Sequence, residues 1–278
     1  MGTTNDNNNN NNNKKVVLIT GGTSGLGRNA AKYILSEGHT VIITGRSKNR
    51  IEEVFEWIKP TPDEKARLHS IVLHLDNLES IRNAVESFKS LNLTLDTLIN
   101  NAGAIYNNLQ YSEETTVVEK TFFTNIIGPW YFTMLIKPYI IKGGRILFAT
   151  SGLHDPEFKV PLSDYAIEYV KTPHFFKNLD GKQSYNALGF YKASKLAMMW
   201  IAYLLVKQMS DLEIITFEPG FIPTTELTGL QPWLARMFFR YIMIYFNPAT
   251  TTEDTCANWY RSYATSPTFN GTSASSAN

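Results

Sequence analysis

Short apolar runs recur along the chain at 16–19, 41–44, 71–73, 98–99, 146–149 and 214–217. Each is too short for a helix and is apolar at consecutive positions, which predicts strands covered on both faces. Between them, apolar residues recur at helical spacing over 28–36, 81–88 and 118–141. They do so again at Ala193, Leu196, Ala197, Trp200, Ile201 and Leu204, in a segment reaching about 209. Alternating strands and helices predict an α/β, Rossmann-type doubly wound parallel sheet of six or seven strands flanked by helices. In such a sheet ligands sit at the carboxyl ends of the strands. The residues after each run therefore carry the chemistry: Asp76 and Asn77, then Asn100 to Gly103, Thr150 and Ser151, and Pro219 and Gly220.

The first run leads into Thr20-Gly21-Gly22-Thr23-Ser24-Gly25-Leu26-Gly27 and then a helical stretch. Glycines between a strand and a helix let backbone approach a pyrophosphate, and the helix N-terminus offers unpaired N–H groups and a favourable dipole. A dinucleotide is the expected ligand, although the spacing Gly21-x3-Gly25-x-Gly27 is not G-x-G-x-x-G. The second run ends in Gly45-Arg46-Ser47, about 20 residues on, where an acid would bond a ribose 2′-hydroxyl. Arg46 stands there instead and suits a 2′-phosphate, so NADP(H) is expected over NAD(H).

Tyr191 and Lys195 lie one turn apart if their segment is helical. A cation beside a phenol stabilises phenolate and draws the pKa down from about 10, which fits Tyr191 for proton transfer to or from a carbonyl or alcohol oxygen. Tyr203 and Lys207 repeat the spacing on a different face.

Composition narrows the function classes. With 26 basic and 25 acidic side chains the net charge is +1, so no whole-chain field draws nucleic acid or an anionic membrane, and a small-molecule function fits better. Cys256 is the only cysteine, which excludes an internal disulfide, offers no metal set and suits a reducing compartment. No apolar stretch reaches the length of a membrane span and no signal peptide is expected, which points to a cytoplasmic protein. Residues 1–13, rich in asparagine, are expected to be a disordered leader, 14–268 one oxidoreductase domain, and 269–278 a polar tail.

Over about 15–265 the chain resembles the short-chain dehydrogenase/reductase family. The residues that carry the likeness are the Thr20 to Gly27 turn, Asn100-Asn101-Ala102-Gly103, Asn125 in Thr124-Asn125-Ile126, Ser151, Tyr191-x-x-x-Lys195 and Pro219-Gly220. The resemblance implies that Ser151 holds the substrate oxygen, Tyr191 is the general acid or base, and Lys195 binds the nicotinamide ribose and lowers the tyrosine pKa. Asn125 would hold a proton-relaying water. It also implies cofactor contacts from Gly21, Thr23, Ser24, Gly25, Leu26, Gly27, Asp76 at the adenine with Asn77, Asn101, Ala102, Gly103, Pro219, Gly220, Ile222 and Thr224. By the same order Tyr191 begins its helix beside the cofactor, and Tyr203 is a packing residue. The stretch from Leu179 to Tyr191 looks like the retinol-dehydrogenase branch, which leaves 155–175 as an extra insertion beside the substrate cleft.

Residues 233–246 are apolar nearly all round with two arginines, and read as a lid or core helix, with peripheral membrane contact and a homo-oligomer interface as the alternatives. The function expected is an NADP(H)-dependent carbonyl reductase or alcohol dehydrogenase for a lipophilic substrate such as a retinoid or steroid. The alternatives are a catalytically silent NADP-binding regulator and a double-bond reductase.

Overall fold

The computed structural model describes residues 14–152, 175–220 and 251–266. Six strands form one parallel sheet: β1 (Val16–Ile19), β2 (Thr40–Gly45), β3 (Leu68–Val72), β4 (Leu95–Asn100), β7 (Ile140–Ala149) and β8 (Glu213–Phe217), in the order β3-β2-β1-β4-β7-β8. Two further strands, β5 (Tyr111–Ser112) and β6 (Thr115–Glu119), make a small antiparallel pair outside it.

The consecutive apolar runs have the expected cause. Leu18, Ile42, Leu98, Ile146 and Phe148 enter one core, while Val17, Ile19, Val41, Ile43, Ile99 and Leu147 enter another. Alternate side chains thus serve opposite faces, and both faces are covered. Helices α1 (Gly25–Ser36) and α2 (Lys48–Ile58) pack on the second core, joined by the last described helix, Glu253–Thr265, which places Cys256, Ala257, Tyr260 and Ala264 there. A short α3 (Pro62–Arg67) begins with a capping box at Thr61 and Glu64. Helix α4 (Leu78–Ser90) and the segments after β6 cover the first core.

The expected helix over 118–141 is a composite. Residues 115–119 are strand, followed by α5 (Lys120–Phe122), a π-helical turn (Phe123–Ile127), α6 (Gly128–Ile136), a 3₁₀ turn (Lys137–Tyr139) and the start of β7. Pro129 explains the break, because it lacks the N–H that would serve the Asn125 carbonyl four residues back; Gly128 N–H reaches five residues back to Phe123 O instead. Helix α7 (Ala187–Gln208) starts one turn before Tyr191, because Asn186 caps it by accepting the Gly189 N–H. Tyr203 is not a packing residue: it is 63% exposed, with the Lys207 ammonium 4.4 Å from its ring centre. The expected leader, most of the insertion, the 233–246 segment and the polar tail lie outside the described residues, as do Ile222 and Thr224. We number the helix Glu253–Thr265 α8.

Candidate active site

In the strand order β3-β2-β1-β4, the connections from β1 and β4 leave in opposite directions, so a crevice opens between their carboxyl ends. Two loops line it and are sewn together. Thr20 Oγ1 accepts the N–H groups of Asn101 (3.0 Å) and Ala102 (3.1 Å), and Asn101 Nδ2 donates to the carbonyls of Thr20 (3.0 Å) and Gly21 (3.2 Å). A side chain at Gly27 would come within 2.6 Å of Asn101 Nδ2 and collide with the Gly21 carbonyl, so only glycine lets the loops close. Gly25, at φ +48°, faces open space at the start of α1, where Ser24 provides no side-chain cap. Uncapped helix N–H groups beside a position without a Cβ form a cradle that fits a phosphate.

The cleft holds about 520 Å³. Of the expected cofactor residues, Gly21, Thr23, Ser24, Gly25, Leu26, Arg46, Asp76, Asn101, Ala102, Gly103, Tyr191, Lys195 and Pro219 line it. Asn77 has a structural task, accepting the Ser80 N–H at 2.7 Å to cap α4. Asp76 is held 3.0 Å from the Lys120 ammonium, which also lies 5.3 Å from the Tyr106 ring centre. Arg50, in the first turn of α2, lines the cleft as well; sequence reasoning missed it, although it lies only four residues beyond Arg46. Tyr260 was invisible to it, because nothing in the sequence says that α8 reaches the cleft. Its hydroxyl donates to Asn101 Oδ1 at 3.3 Å. Among the described residues no metal-holding cluster of His, Cys, Asp or Glu occurs. Cys256 is buried, its thiol donating to the Pro219 carbonyl at 3.0 Å, and burial pushes that thiol up to about 12.

At the end of β7 the cleft meets α7. Tyr191 and Lys195, one turn apart, are both nearly buried at 5% exposure. The Lys195 ammonium donates to the Ala149 carbonyl at 2.8 Å and stands 5.5 Å from the Tyr191 ring centre. Tyr191 also hydrogen-bonds the Ser151 side chain. Asn125 sits in the π-helical turn with its amide used as a brace: Oδ1 accepts the Ala104 N–H at 2.8 Å, and Nδ2 donates to the Ala104 carbonyl and to Ser194 Oγ, each at 3.0 Å. Ser194 Oγ in turn donates to the Tyr191 carbonyl at 2.7 Å, so the brace reaches the helix that bears the phenol.

The pKa expectation for Tyr191 needs correction. Burial pushes its phenol up to about 12, against a smaller downward pull from the Ser151 hydrogen bond, and burial pushes Lys195 down to about 8. Desolvation disfavours both charged forms and is the largest cause of each shift. Tyr191 is therefore protonated at neutral pH, the form a proton donor needs.

The lysine shift carries a stability prediction. Unfolded Lys195 holds its proton up to about pH 10.5, folded Lys195 only to about 8. Below pH 8 the fold bears the full cost of a buried ammonium, and stability rises as pH climbs from 8 to 10.5. Lys195→Met should raise the unfolding free energy at pH 7 by about 1 kcal/mol and abolish that rise. Urea unfolding at pH 7 and 10 checks it; no gain at pH 7 would count against the burial cost.

With this geometry in view, the chain's relatives can be placed. Residues 15–160 match the family model described as short chain dehydrogenase. The chain belongs to the short-chain dehydrogenase family. This dehydrogenase is similar to short-chain dehydrogenase TIC 32 A, chloroplastic, of Brassica napus, 31% identical over 84% of this chain and 73% of that one. It is also similar to polyprenol dehydrogenase of Mus musculus, 27% identical over 81% of this chain and 64% of that protein. Among solved structures it resembles a short chain dehydrogenase from Burkholderia cenocepacia in complex with NADP. That likeness has a TM-score of 0.65 and 20% identity, and covers 91% of this chain and 90% of that one. The dehydrogenase is thus an oxidoreductase whose parallel sheet, six-stranded among the described residues, is flanked by helices. Among its described residues no helix is long and apolar enough to cross a membrane.

Proposed function

We propose that this dehydrogenase is an NADP(H)-dependent carbonyl reductase or alcohol dehydrogenase acting on a lipophilic substrate, with its chemistry within a single unit over 14–268. The observation that carries the reading is the meeting of two features in one cleft: the glycine cradle at Gly25, and a buried Tyr191 bonded to Ser151 with Lys195 one turn away. The nicotinamide, when bound, supplies or accepts the hydride. The protein's part is proton handling and position. Ser151 Oγ and the Tyr191 hydroxyl present adjacent donors to one substrate oxygen, where negative charge gathers during reduction. Tyr191 delivers the proton, and Lys195 holds the ribose and steadies the phenol. Gly21, Thr23, Ser24, Leu26, Asn101, Ala102, Gly103 and Pro219 hold the rest of the dinucleotide, and Asp76 meets the adenine. A regulator that only bound cofactor would need no buried phenol hydrogen-bonded to a serine, which supports turnover over silent binding.

The preference for NADP(H) rests on Arg46 and Arg50, two exposed guanidinium groups at the mouth of the cleft, beside the Ser47-capped start of α2. Guanidinium forks and a helix N-terminus suit a 2′-phosphate. Arg46→Asp should cut the preference for NADPH over NADH by about 100-fold, the worth of charge-assisted bonds to one phosphate plus the repulsion introduced. Initial rates with both cofactors check it, and an unchanged ratio would show that another residue reads the phosphate. Support for a lipophilic substrate comes from the stretch before Tyr191, which looks like the retinol-dehydrogenase branch, and from the likeness to a polyprenol dehydrogenase. A screen of NADPH consumption over retinoid, steroid, aliphatic and quinone carbonyls tests the whole reading, with Tyr191→Phe as blank; no consumption with any class would overturn it.

A further inference from the structure

Glu119 ends β6 with its side chain wholly buried, and the neighbouring Lys120 is engaged with Asp76 rather than with it. Three donors from two separate stretches of chain converge on its carboxyl oxygens: Thr121 Oγ1 at 2.8 Å, the Phe122 N–H at 3.0 Å and the Tyr185 hydroxyl at 3.2 Å. The Tyr185 hydroxyl shares its proton with a second acceptor, the Tyr106 carbonyl. Tyr106 N–H in turn bonds Thr121 Oγ1 at 3.3 Å. The buried acid is therefore the centre of a closed set of hydrogen bonds.

That set has a location that matters. Ala104, Ile105 and Tyr106 line the cleft next to Gly103. Tyr185 stands immediately before Asn186, the cap of α7, so it is attached to the base of the helix that bears Tyr191 and Lys195. An apolar residue of similar volume would fill the Glu119 position at lower desolvation cost. What it would not do is aim donors from both stretches at one point.

We propose that Glu119 and Tyr185 are positioning residues: their hydrogen bonds tie the cleft wall at 104–106 to the base of α7 and so set the distance between bound cofactor and the Tyr191 proton donor. This rests on the reductase reading above. Tyr185→Phe removes the tie while preserving ring packing against Phe190, whose centre lies 5.3 Å away. In that variant amide hydrogen exchange at 104–106 should quicken by about tenfold or more, with 16–19 unchanged, because the wall loses a hydrogen bond and the core strand does not. Single-turnover hydride transfer should fall about tenfold, since small misplacements of reacting groups are costly, while the Kd for NADPH stays within about threefold. Glu119→Gln keeps the volume and offers one carboxyl oxygen fewer; it should move the same readouts in the same direction, and serves if Tyr185→Phe does not fold. Unchanged exchange at 104–106, equal acceleration throughout the chain, or a loss of NADPH affinity matching the loss of rate would each overturn the proposal. If the unaltered protein reduces no carbonyl, the reductase reading fails, and the exchange measurement still decides whether the tie exists.

Discussion

Tyr191→Phe is expected to lower kcat for carbonyl reduction by about 10³-fold or more while changing NADPH affinity by less than about threefold, the signature of an interaction made only as the proton moves. The phenol is 5% exposed, so no solvent molecule readily stands in for the lost hydroxyl; in the proposed reading Ser151 holds the substrate oxygen but supplies no proton. The pH profile gives an independent check. With burial pushing Tyr191 up to about 12, the donor stays protonated through neutral pH. Lys195, at about 8, loses its charge first as pH rises. The reductive kcat/KM should therefore fall above about pH 8, by up to tenfold per pH unit, with the lysine and not the tyrosine as the controlling group. Full turnover in the phenylalanine variant would remove Tyr191 from the mechanism, and a level profile to pH 10 would remove the Lys195 charge.

Gly27→Ala is expected to weaken NADPH binding by about 100-fold and to destabilise the fold by about 1–3 kcal/mol, because overpacking here has no soft neighbour to absorb it. The added methyl would lie 2.6 Å from Asn101 Nδ2 and against the Gly21 carbonyl. Neither can retreat freely: that amide already donates to the carbonyls of Thr20 and Gly21, and its oxygen accepts from Tyr260. Relief comes only by parting the β1 and β4 loops, which is where the dinucleotide lies in the proposed reading. Gly25→Ala provides the contrast. Nothing stands within 4 Å of its would-be Cβ, so the methyl occupies the cradle itself and costs affinity more than stability, apart from about 1 kcal/mol for an L side chain at φ +48°. NADPH titration by fluorescence beside thermal unfolding separates the two effects; equal losses in both variants would contradict the steric account.

Much of the scaffold is legible before folding, for a physical reason. A strand buried on both sides of a parallel sheet must be apolar at consecutive positions, so 16–19, 41–44 and 146–149 announce themselves, and with them the loops at their carboxyl ends. Helix boundaries were less legible. Residues 118–141 carry an apolar pattern that suits a helix, yet the chain changes form several times there, because Pro129 withholds an N–H and Glu119 is drawn into a hydrogen-bonded centre with Tyr185. Tyr203 shows the opposite error, since an aromatic residue on a helix facing solvent looks the same in sequence as one facing the core.

Residue order alone therefore sufficed for the α/β class and the strand-to-loop positions, since periodicity and glycine spacing are local properties of the chain. Which partners those groups meet depends on distance in space. That Arg50 joins Arg46, that Tyr260 arrives from the far end of the chain, that Lys120 holds Asp76, and that burial drives Tyr191 up and Lys195 down all follow from packing elements remote in sequence. Desolvation and hydrogen-bond geometry act through that packing, and no short window of residues contains them.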